Sequence, residues 1–319
     1  MAKFSLVIHG GAGTILRTEM TPEKEAAYKQ ALQQAVDAGY SILEKGGAAM
    51  EAVKAAVVSL EDCILFNAGR GSVFTHDGNH EMDASIMDGK TLQAGAVAGV
   101  KNIRNPVLLA ECVIKNSEHI FLTGSGAEEF AKLYDVPTEP DAYFFSDFRY
   151  QQLKYAQESE SVVLDHFSPN SSVVKTSEEK EKKFGTVGAV ACDAGGNLAS
   201  ATSTGGMTNK KFGRVGDTPV IGAGTYANNK TCAISCTGHG EPFMKAVTAY
   251  DVSCLIEYRG FTLQQAMEEV TMKKLVAIRG EGGMIGVDAS GNAAMVFNCE
   301  GMYRAMRTAK GANQVAIYK

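Results

Sequence analysis

The hexapeptide Gly185-Thr186-Val187-Gly188-Ala189-Val190 marks an abrupt change in the chain. Residues 157–184 read as a flexible linker: Ser-rich, short of apolar side chains, and holding the charge run Glu178-Glu179-Lys180-Glu181-Lys182-Lys183. Such a segment buries too little apolar surface to offset its ordering entropy. Within two residues it gives way to the small and β-branched residues of a strand. A Gly-Thr step at that junction is a place where a chain can cut itself and expose a threonine as a new N-terminus. The freed α-amine, with a pKa near about 8, is a base within reach of the threonine's own hydroxyl. Standing alone, a Gly-Thr at a strand start is ordinary β structure, so its meaning depends on the sequence downstream.

The bulk composition narrows the field. The 319 residues are 45% hydrophobic, enough to fill a sizeable core in one large domain or two ordinary ones. A net charge of −5 leaves no electrostatic footprint for nucleic acid or an anionic membrane. There is no run of 18 apolar residues, and Met1-Ala2-Lys3-Phe4 enters a strand without a signal peptide. Seven cysteines, odd in number and scattered, are expected to be reduced thiols of a cytoplasmic protein. Cys232-x-x-x-Cys236 has no second Cys or His pair and makes a poor metal site.

Ahead of the junction, residues 4–9 read as an apolar strand running into the loop Gly10-Gly11-Ala12-Gly13. Thr21-Pro22 places a cap and an N1 proline before a helix period (Ala27, Tyr28, Ala31, Leu32, Ala35, Val36). Gly46-Gly47 stops it, and a second helix is expected over 48–60. Strands are expected over 72–75, 80–87, 94–100 and 119–123, and helices over 105–115 and 127–133. After the junction, 186–192 and 198–204 form a hairpin around Asp193-Ala194-Gly195-Gly196-Asn197, and 284–287 with 293–297 form another. Between them come a strand, 231–236, and helices over 241–258 and 262–278. The last opens on the capping-box pattern Thr262-x-x-Gln265. Hairpins alternating with helix pairs imply a layered α+β fold.

Three downstream patches can build a site around Thr186. Cys236-Thr237-Gly238-His239-Gly240-Glu241-Pro242 joins a strand to a helix start, where unpaired N–H groups and the positive dipole end converge. Thr237 O–H and Gly238 N–H there suit a developing oxyanion. A plain turn or a phosphate loop fits the same residues, although no Lys follows as a Walker-type loop requires. Gly213-Arg214-Val215-Gly216-Asp217-Thr218-Pro219 sets a guanidinium and a carboxylate three apart. That pair complements the carboxylate and ammonium of an α-amino acid; a surface ion pair is the plainer alternative. In Ala201-Thr202-Ser203-Thr204-Gly205-Gly206-Met207, alternation puts Thr202 and Thr204 on one strand face. Thr204 can orient the nucleophile there, although cross-strand Thr pairs also occur without function. His76-x-x-x-His80-Glu81 has zincin-like spacing, but Asp77-Gly78 between the histidines is hairpin chemistry, so no metal is expected.

These patches, in this order, resemble the plant-type asparaginase/isoaspartyl aminopeptidase family of N-terminal nucleophile hydrolases. The resemblance also takes in Ile8-His9-Gly10-Gly11-Ala12-Gly13, Phe66-Asn67-Ala68-Gly69-Arg70-Gly71 and Met82-Asp83-Ala84-Ser85-Ile86-Met87-Asp88-Gly89, and so covers nearly the whole chain. It implies an αββα four-layer sandwich and autocleavage between Gly185 and Thr186 into an alpha subunit, 1–185, and a beta subunit, 186–319. It also implies that two αβ units pair as (αβ)2. It matches Thr186 to the nucleophile, Thr204 to its supporting threonine, and Thr237 and Gly238 to the oxyanion donors. Arg214 and Asp217 match the substrate clamp, Gly240 a backbone contact to the substrate, and Asn67 a supporting side chain. No catalytic cofactor is implied. A structural sodium ion is, held by main-chain oxygens of Leu60, Glu61, Cys63, Phe66, Ala68 and Arg70. His239 fills a position that varies in the family, where it either tunes substrate choice or points to solvent.

The implied activity is hydrolysis of the side-chain amide of L-asparagine or of the β-peptide bond in β-aspartyl (isoaspartyl) dipeptides. Both substrates share the aspartyl half, so the sequence leaves the preferred leaving group open. One rival is a glycosylasparaginase-like amidase, whose lysosomal or secreted members call for a signal peptide and paired cysteines. The other is an uncleaved, non-catalytic amino-acid-binding relative, which has no need of three placed hydroxyls at Thr186, Thr204 and Thr237.

Overall fold

The structure, a computed structural model, describes residues 3–159 and 185–319. The hairpin expected after the junction is present: Val187–Cys192 pairs antiparallel with Leu198–Thr204. Its turn closes because Asp193 Oδ1 accepts from the N–H groups of Gly195 and Asn197, both at 2.9 Å. In chain order the strands are β1 (Ser5–Gly13), β2 (Met82–Asp88), β3 (Ala94–Val100), β4 (Phe121–Thr123), β5 (Val187–Cys192) and β6 (Leu198–Thr204). They continue as β7 (Thr225–Ala227), β8 (Cys232–Gly238), β9 (Gly282–Asp288), β10 (Ala293–Phe297), β11 (Gly301–Thr308) and β12 (Asn313–Tyr318). One sheet runs β12-β11-β1-β5-β6-β2-β3-β4 and the other β10-β9-β8-β7. Only the β3–β4 pair is parallel among these ladders.

Helices α1 (Pro22–Glu44), α2 (Ala49–Glu61) and α3 (Pro106–Asn116) pack on one face of the larger sheet. Leu32, Val36, Val53, Val57 and Leu109 meet Leu6, Ile8, Ile86 and Ala189 there. The opposite face of that sheet meets the smaller one through Val7, Val190, Leu198, Ala233, Ile285 and Val287. Strand alternation explains the division, since Leu6 and Ile8 point one way and Val7 the other. These strands are buried on both faces, yet they are not unbroken apolar runs: Ser85 on β2 and Ser200, Thr202 and Thr204 on β6 are buried polar residues.

Four short helices follow α3: α4 (Gly124–Leu133), α5 (Asp141–Phe144), α6 (Asp147–Glu158) and α7 (Gly240–Ala246). Then come α8 (Thr248–Arg259) and α9 (Leu263–Glu268), whose Val252, Leu263 and Met267 pack on Ile234 and Met284 of the smaller sheet. Beyond α9 the chain passes through a π turn, Glu269–Lys274. The caps are as read from sequence: Thr21 Oγ1 accepts from Lys24 N–H at 3.3 Å, and the Thr262–Gln265 box is formed in both directions.

Several expectations are corrected. The segment 72–75 is no strand: it follows a 3₁₀ turn at Gly69–Gly71, and the Val73 N–H is taken by Asn67 Oδ1 at 3.0 Å. The helix expected over 241–258 is two helices, broken at Val247, whose φ of 48° is left-handed. Gln157 and Glu158 belong to α6 rather than to the linker, the rest of which lies outside the described residues apart from Ser159, which caps α6. Strands β11 and β12 and helices α5 and α6 had no counterpart in the sequence reading.

Candidate active site

Thr186 lies at the entry to β5, where the larger sheet's inner face meets the smaller sheet. It is buried, and its neighbour across the hairpin is Thr204, the last residue of β6. Thr186 Oγ1 donates to Thr204 Oγ1 at 3.3 Å. Thr204 Oγ1 in turn donates to the carbonyl oxygen of Gly185 at 3.1 Å and accepts from Gly206 N–H at 3.0 Å. One hydroxyl thus touches both the Thr186 hydroxyl and the carbonyl of the peptide bond preceding Thr186. The alternation read from sequence is correct. Thr202 and Thr204 point into the space between the sheets, where Thr202 meets Ser235 at 2.7 Å.

A small cleft opens beside this pair, lined by Gly185, Thr186, Thr204, Arg214, Asp217 and Gly238, with Gly240 at its rim. Its free volume is about 20 Å³, little more than one water requires, and Gly185 is part of its wall. Asp217 is buried, its Oδ2 has no hydrogen-bond partner among the described residues, and burial, opposed by the nearby Arg214 charge, pushes its carboxyl up to about 7. An ammonium ion in the cleft would supply the missing partner. Gly240 is needed for this approach: a Cβ there would lie 2.8 Å from Arg214 Nη2 and 3.1 Å from Asp217 Oδ1.

Thr237 follows Ser235 by two on β8 and so shares its face toward the larger sheet. It is fully buried and its Oγ1 has no hydrogen-bond partner among the described residues. A buried hydroxyl left unpaired costs free energy in the unliganded protein, which a ligand oxygen at that position would recover. Asn67 stands behind the cleft, donating from Nδ2 to Gly206 O at 2.8 Å and accepting at Oδ1 from Val73 N–H. It therefore shapes the Gly205-Gly206 bend that supports Thr204.

Arg214 is paired with Glu241. Its Nε and Nη2 donate to Glu241 Oε1 and Oε2, each at 3.0 Å, so one edge of the guanidinium is already occupied. His239, half-buried, places Nε2 3.0 Å from Glu241 Oε2. Sequence reasoning quoted Glu241 inside its motif without giving it a task. It likewise gave none to buried Asp83, which sits opposite Thr204 on β2, or to buried Lys210, whose Nζ donates to Glu81 O at 2.7 Å beside Gly206. Charged residues inside an otherwise apolar strand or just after a Gly-Gly bend were the available signal.

The loop expected to hold sodium winds tightly after α2. Leu60 O accepts from the N–H groups of Asp62 and Cys63, whereas Cys63 O accepts from Phe66 N–H and Phe66 O from Ala68 N–H. A Cβ on Gly69 would lie 2.5 Å from Glu61 O, and one on Gly71 would lie 2.0 Å from Phe66 O. These glycines open a cradle of main-chain oxygens that suits a hard monovalent cation. The Glu61 side chain turns away, accepting from Val107 N–H of α3 at 3.1 Å. Among the described residues no group of three or more His, Cys, Asp or Glu can hold a metal ion. His76 bonds Asn209 and His80 bonds Ser72, on separate partners. All seven cysteines are free, and burial pushes the Cys232 thiol up to about 12. No helix among the described residues is long and apolar enough to cross a membrane.

Known proteins match this chain over nearly its whole length. A family model described as asparaginase matches residues 2–317. An isoaspartyl peptidase of Escherichia coli is 49% identical over 319 residues, covering 100% of this chain and 97% of that protein. An isoaspartyl peptidase of Salmonella typhimurium is 50% identical with both chains covered in full, 100% each. A probable isoaspartyl peptidase/L-asparaginase of Arabidopsis thaliana is 38% identical over 330 residues, again 100% of each chain.

Proposed function

The chain belongs to the asparaginase family, and from that premise we propose that it hydrolyses L-asparagine and β-aspartyl dipeptides through an N-terminal threonine that it creates by cutting itself. The observation that carries this reading is the placement of Thr204 Oγ1 between the Thr186 hydroxyl and the Gly185 carbonyl. In the intact chain Thr186 Oγ attacks the Gly185 carbonyl carbon, whose oxygen Thr204 polarises. The peptide nitrogen takes a proton and leaves as the α-amine, and water hydrolyses the resulting ester. Gly185 then departs with the alpha subunit, 1–185, and vacates the cleft at the front of the beta subunit, 186–319.

In the cut enzyme the α-amine of Thr186 takes the Oγ proton as Oγ attacks the substrate's side-chain carbonyl. Thr237 O–H and Gly238 N–H stabilise the oxyanion, the term that usually dominates acyl transfer. The protonated amine returns its proton to the leaving ammonia or amino acid, and water releases aspartate from the ester. Asp217 holds the substrate ammonium, and the edge of Arg214 left free by Glu241 holds its α-carboxylate. Gly240 contributes a backbone contact.

The packing of two sheets between helices supports the αββα arrangement of N-terminal nucleophile hydrolases, and we extend the reading to (αβ)2 pairing. The carbonyls of Leu60, Glu61, Cys63, Phe66, Ala68 and Arg70 would hold a sodium ion, whose charge would stiffen the loop carrying Asn67. No cofactor enters the chemistry, and the partners are small molecules and a second copy. A cytoplasmic setting fits the free cysteines.

Intact-mass analysis tests the core of the proposal. The purified protein is expected to resolve into fragments ending at Gly185 and starting at Thr186, while Thr186→Ala remains one inactive chain. A single uncut polypeptide that hydrolyses asparagine would sink it.

A further inference from the structure

Beneath Thr186 a row of polar side chains crosses the space between the two sheets. His9, Gly188, Thr202 and Ser85 stand opposite one another on β1, β5, β6 and β2. Facing them, Ser235 stands opposite Thr225 on β8 and β7. All five polar members are buried, and the chemistry above uses none of them. They connect end to end. His9 Nδ1 is 2.9 Å from Thr186 O, and His9 Nε2 is 2.9 Å from Ser235 Oγ. Ser235 meets Thr202 at 2.7 Å, Thr202 meets Thr225, and Ser85 meets Thr225 at 2.8 Å. Ser85 also reaches Thr218 O at 2.6 Å. The row therefore starts at the carbonyl of the nucleophile and ends at the carbonyl of the residue after Asp217.

Its protons run one way. A carbonyl only accepts, so His9 Nδ1 carries the hydrogen and Nε2 must accept from Ser235 O–H. Thr202 then donates to Ser235, Thr225 to Thr202, and Ser85 shares its one hydrogen between Thr225 Oγ1 and Thr218 O. Gly188 makes the crossing feasible, since a Cβ there would lie 2.0 Å from Ser235 Oγ and 2.5 Å from His9 Nε2. Buried, fully connected hydrogen-bond rows of this kind are stiff.

We propose that this row is the positioning element of the site: by tying Thr186 O to Thr218 O it fixes the nucleophile relative to the ammonium clamp at Asp217. The inference rests on the hydrolytic reading above. The row touches no substrate atom, so its members are positioning residues. Their effect falls on the step that needs a near-attack geometry, where a misplacement of about 1 Å costs on the order of 100-fold in rate.

The test uses Thr202→Val, which keeps the shape and removes the hydroxyl, and Thr202→Ser, which restores the hydroxyl. Ser235→Ala, His9→Asn and His9→Phe accompany them; the Asn amide can replace the Nδ1–H donor and Phe cannot. Each is assayed for self-cleavage by intact mass, and for kcat and KM on asparagine. Thr202→Val and Ser235→Ala are expected to lose at least about tenfold in kcat with KM within about twofold. Thr202→Ser is expected to regain kcat to within about threefold of wild type, and His9→Asn to exceed His9→Phe. If Thr202→Val does not fold, Ser235→Ala decides alone. Unchanged kcat, a loss confined to KM, or a serine variant no better than valine overturns the row's role while wild-type cleavage and hydrolysis leave the hydrolytic reading intact. A wild type that does neither takes both down.

Discussion

Arg214 and Glu241 meet edge to edge, with Nε to Oε1 and Nη2 to Oε2 both at 3.0 Å. The pair is one-fifth exposed on the arginine side and 42% exposed on the glutamate side, at the mouth of the cleft. The hydrogen bond from His239, and then Arg214 itself, hold the Glu241 carboxyl well below the usual carboxylate range. Glu241 therefore stays ionised and aims the guanidinium, leaving the Nη1–Nη2 edge for the substrate carboxylate of the proposed mechanism.

Lysine cannot reproduce that arrangement, because a point charge cannot serve Glu241 and a second carboxylate along two edges. Arg214→Lys is expected to lower kcat/KM for asparagine on the order of 100-fold, the loss of two charge-assisted bonds. Self-cleavage, read by intact mass, should persist. Activity near wild type would remove Arg214 from the site.

Glu241→Gln keeps the shape and one acceptor but lets the guanidinium swing. The expected outcome is a KM for asparagine raised about three- to tenfold with kcat nearly held, since the nucleophile and oxyanion donors are untouched. Steady-state kinetics check it, and a change in kcat alone would count against a clamp-aiming role.

The hairpin, the two caps and the inward-facing threonines of β6 were legible because each rests on local chemistry: Asp-Gly turns, Thr-Pro and Thr-x-x-Gln starts, and strand alternation. The Arg214–Glu241 pair was not, because it joins residues 27 apart in a geometry that only the tertiary fold sets. His9 illustrates the same limit. In sequence it is a histidine ahead of Gly-Gly, whereas in the fold burial lowers its pKa to about 3 and it bridges both sheets. The break at Val247 escaped for a different reason, since a β-branched residue at φ 48° has no propensity signal. Strands β11 and β12 carry Arg304, Arg307 and Gln314, whose polarity masks a strand period until their partners are known.

Thr204→Val removes the hydroxyl that donates to the Gly185 carbonyl while keeping the strand shape. Slower self-cleavage is expected, by about 100- to 1,000-fold for a lost oxyanion-type donor. Time-resolved intact mass on freshly purified protein measures it, and cleavage at the wild-type rate would exclude Thr204 from that step.

Asp217 also predicts a trade between stability and function. Its folded pKa, about 7, lies above the 3.8 of an ordinary aspartate. The stabilising contribution is therefore fully present below about pH 4 and is lost as pH rises toward 7, because the unfolded chain releases the proton first. Asp217→Asn abolishes this penalty, so its melting temperature relative to wild type is expected to be higher at pH 8 than at pH 5. Substrate binding should be lost at both. Equal shifts at the two pH values would show that Asp217 is already ionised in the fold.

The same group shapes the pH profile of catalysis. In the proposed mechanism, asparagine's ammonium needs an ionised Asp217, and attack needs a neutral Thr186 α-amine with a pKa near about 8. Both requirements fail on the acid side, so kcat/KM should fall below about pH 8 and steepen below about pH 7, where the carboxyl also takes up a proton. Once substrate is bound, its ammonium holds Asp217 ionised, so the kcat profile should keep the amine limb alone. His239 touches Glu241 and lies outside the Thr186 hairpin, so His239→Ala should preserve the acid limb. EDTA should leave the rate unchanged, for the general base is supplied by the chain itself. An acid limb that vanishes with His239, or activity that chelation abolishes, would replace the free amine with a histidine or a metal-bound base.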